Sequence, residues 1–224
     1  MLAAGRAHTP QADHALEELC HTYWFPLYAY VRRRGYTHED AEDLTQGFFA
    51  RFLERNYLEG LTSEKGRFRA FLLASLKHFL ANEWDRAHRQ KRGGEATTLS
   101  LDWEHADDRY KIHIPDDLSP DKIYDREWAL ALLEQVITRL RESCAETDQA
   151  QLFDKLKPFL TMDKTALPYA QAAADLNMAE GAVRVAVHRL RKRYRDLLRE
   201  EITQTLTDPA QVEEEMRALL GAFN

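Results

Sequence analysis

Residues 168–199 read PYAQAAADLNMAEGAVRVAVHRLRKRYRDLLR, and this stretch decides the fold. Pro168 suits the first turn of a helix, where its missing N–H costs nothing. Ala172, Ala173 and Leu176 make a small apolar stripe that lets a second helix approach closely. Asn177 stands where the chain must turn, and asparagine tolerates a left-handed backbone better than most residues. A second helix starts near Ala179, with Glu180 placed against its positive end. Val183, Val187, Leu190, Tyr194 and Leu197 follow at helical spacing as a buried face. Arg184, His188, Arg189, Arg191, Lys192, Arg193 and Arg195 occupy much of the remainder. Small residues, a turn and a basic second helix together spell a helix-turn-helix, whose second helix enters the major groove of DNA.

The rest of the chain is also helical in pattern. Only nine glycines and seven prolines in 224 residues, with 30% charged residues, favour helices over sheet. Ala15, Leu16, Leu19 and Tyr23 mark a first helix, and Pro26 is expected to start another that stops at Gly35. Thr37 is an N-cap with Asp40 three residues on, close to a capping box. Leu44, Phe48, Phe49, Phe52 and Leu53 line one side of the helix that follows. After a loop at about 56–66, a long helix from about Arg67 to Arg89 carries Phe68, Phe71, Leu72, Leu76, Phe79 and Leu80 toward a core. Residues 95–120 read as an acidic linker containing Pro115 and Pro120, and Ser119-Pro120-Asp121 reads as a new helix start. The expectation is an all-α chain of two small helical domains, 11–94 and 121–205, joined by the linker 95–120. An acidic C-terminal tail or helix spans 206–224.

The net charge of −6 conceals strong segregation. From Arg67 to Arg92 there are seven Lys or Arg against two acids, and from Ala179 to Arg199 again seven against two. Between Asp102 and Glu127 nine acids face four bases, and from Glu200 onward six acids face one arginine. Local patches set the field that a DNA phosphate meets. In the first basic segment, Arg67, Arg69, Lys77, Arg86, Arg89, Lys91 and Arg92 are interleaved with aromatic residues including Trp84. Cations that follow a backbone beside rings that stack on bases suit single-stranded nucleic acid. Cys20 and Cys144 make no metal or disulfide pattern, and the nine histidines are scattered without metal-ligand spacing. No apolar run reaches membrane-spanning length and the N-terminal segment lacks a signal-peptide core, so a cytoplasmic, non-membrane protein is expected.

Three segments in this order resemble the extracytoplasmic-function (ECF) subfamily of bacterial RNA polymerase sigma factors. DAEDLTQGFFARF (40–52) resembles the acidic motif of sigma region two. FRAFLLASLKHFLANEWDRAHRQKRGG (68–94) resembles the promoter-melting helix. YAQAAADLNMAEGAVRVAVHRLRKRYRDLL (169–198) is similar to the helix-turn-helix of region four. The likeness covers roughly Leu16 to Ile202. It implies a region-two helical bundle and a region-four helix-turn-helix, acting in transcription initiation without enzymatic activity or cofactor. Its partners would be core RNA polymerase and promoter DNA, with room for an anti-sigma factor or a regulatory kinase.

By position, the resemblance implies polymerase docking through Asp40, Asp43 and Gln46. It implies capture of an unstacked minus-ten base near Leu61, Thr62, Ser63 and Lys65, with phosphate contacts from Arg67, Arg69, Lys77, Arg86 and Arg89. It implies minus-thirty-five contacts from Arg184, Val185, His188 and Arg189, with Lys192 and Arg193 on the backbone. Four positions depart from the family pattern. Gly47 replaces a glutamate, Phe71 a tryptophan, Asn82 an aspartate and Ala172 a bulkier aliphatic. Thr45 is a candidate phosphorylation site, because about −2 of added charge would restore what Gly47 lacks. The charge segregation raises a further expectation, that linker and tail shield the basic helices until polymerase binds. Two other readings compete: a DNA-binding regulator with an unrelated helical sensor domain, and a metal-dependent hydrolase built on Asp40, Asp43 and a histidine.

Overall fold

The computed structural model describes residues 10–54, 67–89, 106–115, 117–147, 149–161 and 168–223, and these are helical with no strand among them. In chain order the helices are α1 (Pro10–Arg33), α2 (His38–Glu54), α3 (Phe68–Arg89), α4 (Ala106–His113) and α5 (Pro120–Ala145). They continue with α6 (Ala150–Leu156), α7 (Tyr169–Leu176), α8 (Glu180–Gln204) and α9 (Val212–Gly221). Two compact units result: Met1–Ala131 with Ile202–Asn224, and Leu132–Glu201.

Unit one is built around α1. The expected break at Pro26 does not occur, and α1 runs through it as one helix. An interior proline costs roughly 3 kcal/mol through its lost N–H and its ring clash. Every residue from Thr22 to Val31 is buried, and each large apolar side chain removed from water contributes roughly 1.5–3 kcal/mol. That burial outweighs the proline. Trp24 and Tyr28 stack with ring centroids 5.1 Å apart, and Tyr23 meets Phe68 edge-on at 5.4 Å. α1 stops two residues before Gly35, whose φ of 96° favours glycine.

The Thr37 cap is present in both directions. The Asp40 N–H donates to Thr37 Oγ1 at 3.1 Å, and the Thr37 hydroxyl donates to Asp40 Oδ2 at 3.0 Å. α2 then buries Ala41, Phe48, Phe49 and Phe52. From α3, Phe68, Leu72, Leu76 and Leu80 recur at helical spacing and are buried.

Part of the expected linker is structured. α4 lies inside 95–120, and Asp107 at its start pairs with Arg32 at 2.8 Å. Arg109 sits 3.9 Å over the Phe25 ring and reaches Glu127 at 3.6 Å. Ser119 caps α5, accepting from the Lys122 N–H at 3.3 Å. The boundary between the units falls within α5 instead of in the acidic segment, and the last turn of α8 belongs to unit one.

In unit two, Leu156, Phe159, Ala172, Ala173, Val183 and Val187 form one buried cluster. Leu140, Cys144 and Phe153 form a second, with Leu190, Tyr194 and Leu197 packed against it.

Candidate nucleic-acid interface

The helix-turn-helix of unit two is built as its residues dictate. Pro168 precedes α7, and Asn177 ends it in the left-handed region at φ 51°, ψ 44°. The Met178 N–H donates back to the Ala173 carbonyl at 2.9 Å, closing the turn. Ala172 and Ala173 are buried, and their small size lets α7 and α8 approach. On α8, Val183 and Val187 are buried, which turns the opposite face outward.

At 100° per residue, Arg184, His188, Lys192, Arg195 and Arg199 share an arc of about 80° on α8. All five are exposed, as are Val185 and Arg189 beside them. Arg195 and Arg199, which lie outside the contact set that the resemblance implies, share this exposed arc by their helical phase. Arg184 is held in place by its neighbours. Its guanidinium bonds Glu180 Oε1 at 2.6 and 3.1 Å and lies 4.3 Å over the Tyr169 ring. Arg193 is turned instead toward the Ser143 hydroxyl of α5, at the edge of this face. Arg191 has a structural task. Two of its N–H groups donate to the Phe159 carbonyl at 2.9 and 2.7 Å. This fastens α8 to the turn after α6.

Unit one treats its basic helix differently. Arg67 bonds Glu214 and reaches Glu215 at 3.1 Å, while Arg69 is clamped between Glu215 and Asp125 and lies 4.6 Å from the Trp128 ring. The Glu215 side chain is only 1% exposed. Burial works against the Arg69 charge, but the Glu215 and Asp125 carboxylates outweigh it and hold its pKa above the usual guanidinium value. For Asp125 burial wins over the Arg69 guanidinium and raises the carboxyl pKa. Two backbone contacts fix the same segment: the Phe68 N–H donates to the Thr205 carbonyl at 3.2 Å, and Arg67 bridges Leu206. The acidic C-terminal helix thus lies on the start of α3. Lys77 pairs with Asp121, and Arg86 with Glu83 at 2.8 Å. The side chain of Arg89, together with Leu61, Thr62, Ser63 and Lys65, lies outside the described residues.

On α2, Asp40 and Asp43 are exposed and Gln46 is half-buried. Thr45 is fully buried, its hydroxyl donating to the Ala41 carbonyl at 2.7 Å. A kinase would reach that oxygen only after α2 is displaced. At Gly47 an added Cβ would sit 3.6 Å from Phe79 Cζ, an ordinary van der Waals contact. No group of His, Cys, Asp or Glu among the described residues is arranged to hold a metal ion. No helix among them is long and apolar enough to cross a membrane.

The arrangement offers an exposed cationic helix in unit two and an acidic helix beside a basic, partly neutralised one in unit one. Comparison with known proteins finds no matching family model, curated protein or solved structure.

Proposed function

We propose that the chain is a transcription initiation factor of the ECF sigma type, which binds core RNA polymerase and directs it to promoters. The observation that carries the reading is the α7–α8 unit. A left-handed Asn177 turn sets α8 with Arg184, His188, Lys192, Arg195 and Arg199 on one exposed face. Such a face fits the major groove of a duplex minus-thirty-five element, with Arg189 and Arg184 as base or phosphate contacts. Unit one would supply polymerase docking through Asp40, Asp43 and Gln46, and strand opening along α3. Arg67 and Arg69 enter this scheme already neutralised by carboxylates. Contacts from them to DNA phosphate would require Glu214 and Glu215 to be displaced.

Co-purification with core polymerase, followed by opening of a premelted template, tests the reading. A sigma-type factor binds core polymerase stably, and Arg189→Ala weakens duplex binding by about 1–3 kcal/mol. A chain that ignores core polymerase yet binds duplex DNA tightly as a dimer would instead be the regulator with a sensor domain.

A further inference from the structure

Unit two carries an open cavity of about 510 Å³ between α6 and the first half of α8. Its origin lies in side-chain size. Gly181, Ala182 and Ala186 of α8 line it together with Leu152, Phe153 and Leu156 of α6, and the small residues leave the space unfilled. A Cβ added at Gly181 would meet nothing within 4 Å. Val185 also lines the cavity and is 50% exposed, a large apolar side chain left open to solvent.

Charge enters from one residue type. Arg189 and Arg193, four apart on α8 and so on one face of it, both line the cavity. No Asp or Glu is among the described residues that do so, and neither arginine is engaged by a carboxylate among the described residues. Arg193 bonds the Ser143 hydroxyl, a neutral acceptor that leaves its charge uncompensated, and this sets the guanidinium beside Cys144 in the cavity wall. Burial raises the Cys144 thiol pKa and the Arg193 charge works against that rise, so the charge is felt at the wall.

These features select the ligand. An apolar body would fill the space between α6 and α8, and one anionic group would meet Arg189 and Arg193. A cation is repelled by the two guanidinium groups, and a neutral apolar molecule leaves them unused. The volume falls within the range for small-molecule pockets, roughly 300–1,000 Å³. We propose that this cavity binds a small amphipathic organic anion, a carboxylate with a compact apolar body, and that the bound anion keeps duplex DNA off α8. The second half rests on reading α8 as the duplex-binding helix, because Val185 and Arg189 belong to both surfaces. A carboxylate on an alkyl chain and one on an aromatic ring offer the same chemistry, so octanoate and naphthoate are the two probes.

Methionine methyl NMR on the full chain reads the site, since Met178 lines the cavity and Met216 lies in unit one as an internal control. Met178→Leu assigns the resonance. Octanoate, naphthoate or both should shift the Met178 methyl saturably and leave Met216 in place. Octanol and octylammonium, with the same body and another head group, should bind at least about 3- to 30-fold more weakly than octanoate, the range for two exposed ion pairs. Arg189→Ala combined with Arg193→Ala should weaken carboxylate binding by that factor. Ala182→Leu, which fills the space from an exposed position on α8, should abolish the shift while helix content by circular dichroism holds. Saturation by one carboxylate alone supports the site and assigns the body as chain or ring. No saturable shift with either carboxylate, or octanol binding as tightly as octanoate, overturns the proposal. Duplex binding separates this inference from the proposed function. The carboxylate that shifts Met178 should weaken duplex binding by the wild-type chain and have no effect on Ala182→Leu. A Met178 shift with unchanged duplex affinity refutes the competition and counts against α8 as the duplex-binding helix. No shift, in a chain that still opens a premelted template with core polymerase, refutes the cavity and leaves the proposed function standing.

Discussion

Replacing Arg69 by alanine should destabilise unit one by about 3–4 kcal/mol, a figure that follows from what the guanidinium leaves behind. Glu215 is 1% exposed and would lose its Arg69 N–H donors, keeping only Arg67 at 3.1 Å. Removing one partner of a buried pair costs about 3–5 kcal/mol, because the stranded charge cannot be rehydrated. The surviving Arg67 contact places this case near the lower bound. The lost packing over Trp128, centred at 4.6 Å, adds up to about 1 kcal/mol. Glu215→Gln should cost less, about 1–2 kcal/mol, since Arg69 keeps Asp125 and the amide oxygen still accepts. The assay is urea unfolding followed by tryptophan fluorescence. Trp24, Trp84, Trp103 and Trp128 all lie in unit one, so the signal reports that unit alone. In a double-mutant cycle, Arg69→Ala with Glu215→Ala should cost less than the two separately, by at least about 1 kcal/mol. A loss below about 1 kcal/mol for Arg69→Ala, with no coupling, would refute the reasoning. The pair would then be behaving as a solvent-exposed one, and the arginine would be available to DNA as it stands.

Three further outcomes are expected. Gly47→Ala should stabilise unit one by about 0.5–1 kcal/mol in the same titration, because an interior helical glycine is replaced where the Cβ meets only Phe79 at 3.6 Å. Asn177→Ala should cost about 1 kcal/mol through its φ of 51°, while Asn177→Gly should cost nothing. Unit two holds no tryptophan, so far-UV circular dichroism is the readout for that pair. The Lys111 hydrogen bond, helped by Arg32, holds the Asp107 carboxyl below its usual value of 3.8. A depressed acid contributes stability that is whole above 3.8 and is lost as pH falls through the lower folded-state value. Asp107→Asn should therefore lower the urea midpoint of unit one near neutral pH and flatten its fall on acidification.

What the sequence disclosed were features whose cause is local. Thr37 and Asp40 cap a helix within four residues, and the Asn177 turn is written in the residues around it. The phase of α8 is likewise legible, since Val183 and Val187 point one way and Arg184 and His188 the other. Pro26 misled because a helix-starting proline and a helix-interior one look alike until the burial around it is known. The acidic run 95–120 lacked apolar periodicity, so α4 was missed; it is held by Arg32 and Glu127, partners remote in the chain. Arg67 and Arg69 show the limit most clearly. Their charge is visible in the sequence, but their neutralisation depends on Asp125, Glu214 and Glu215, brought from 56 to 148 residues away. Arg191 looks like its basic neighbours and differs only in facing the Phe159 carbonyl.

The central claim is that the chain redirects core RNA polymerase, and mapping transcript starts tests it most directly. Core polymerase transcribes fragmented genomic DNA with and without the full chain, and the 5′ ends are sequenced. The account predicts new starts at a defined set of sites sharing an upstream element, lost when Arg184 and Arg189 are both changed to alanine. An identical set of starts with and without the chain would contradict it.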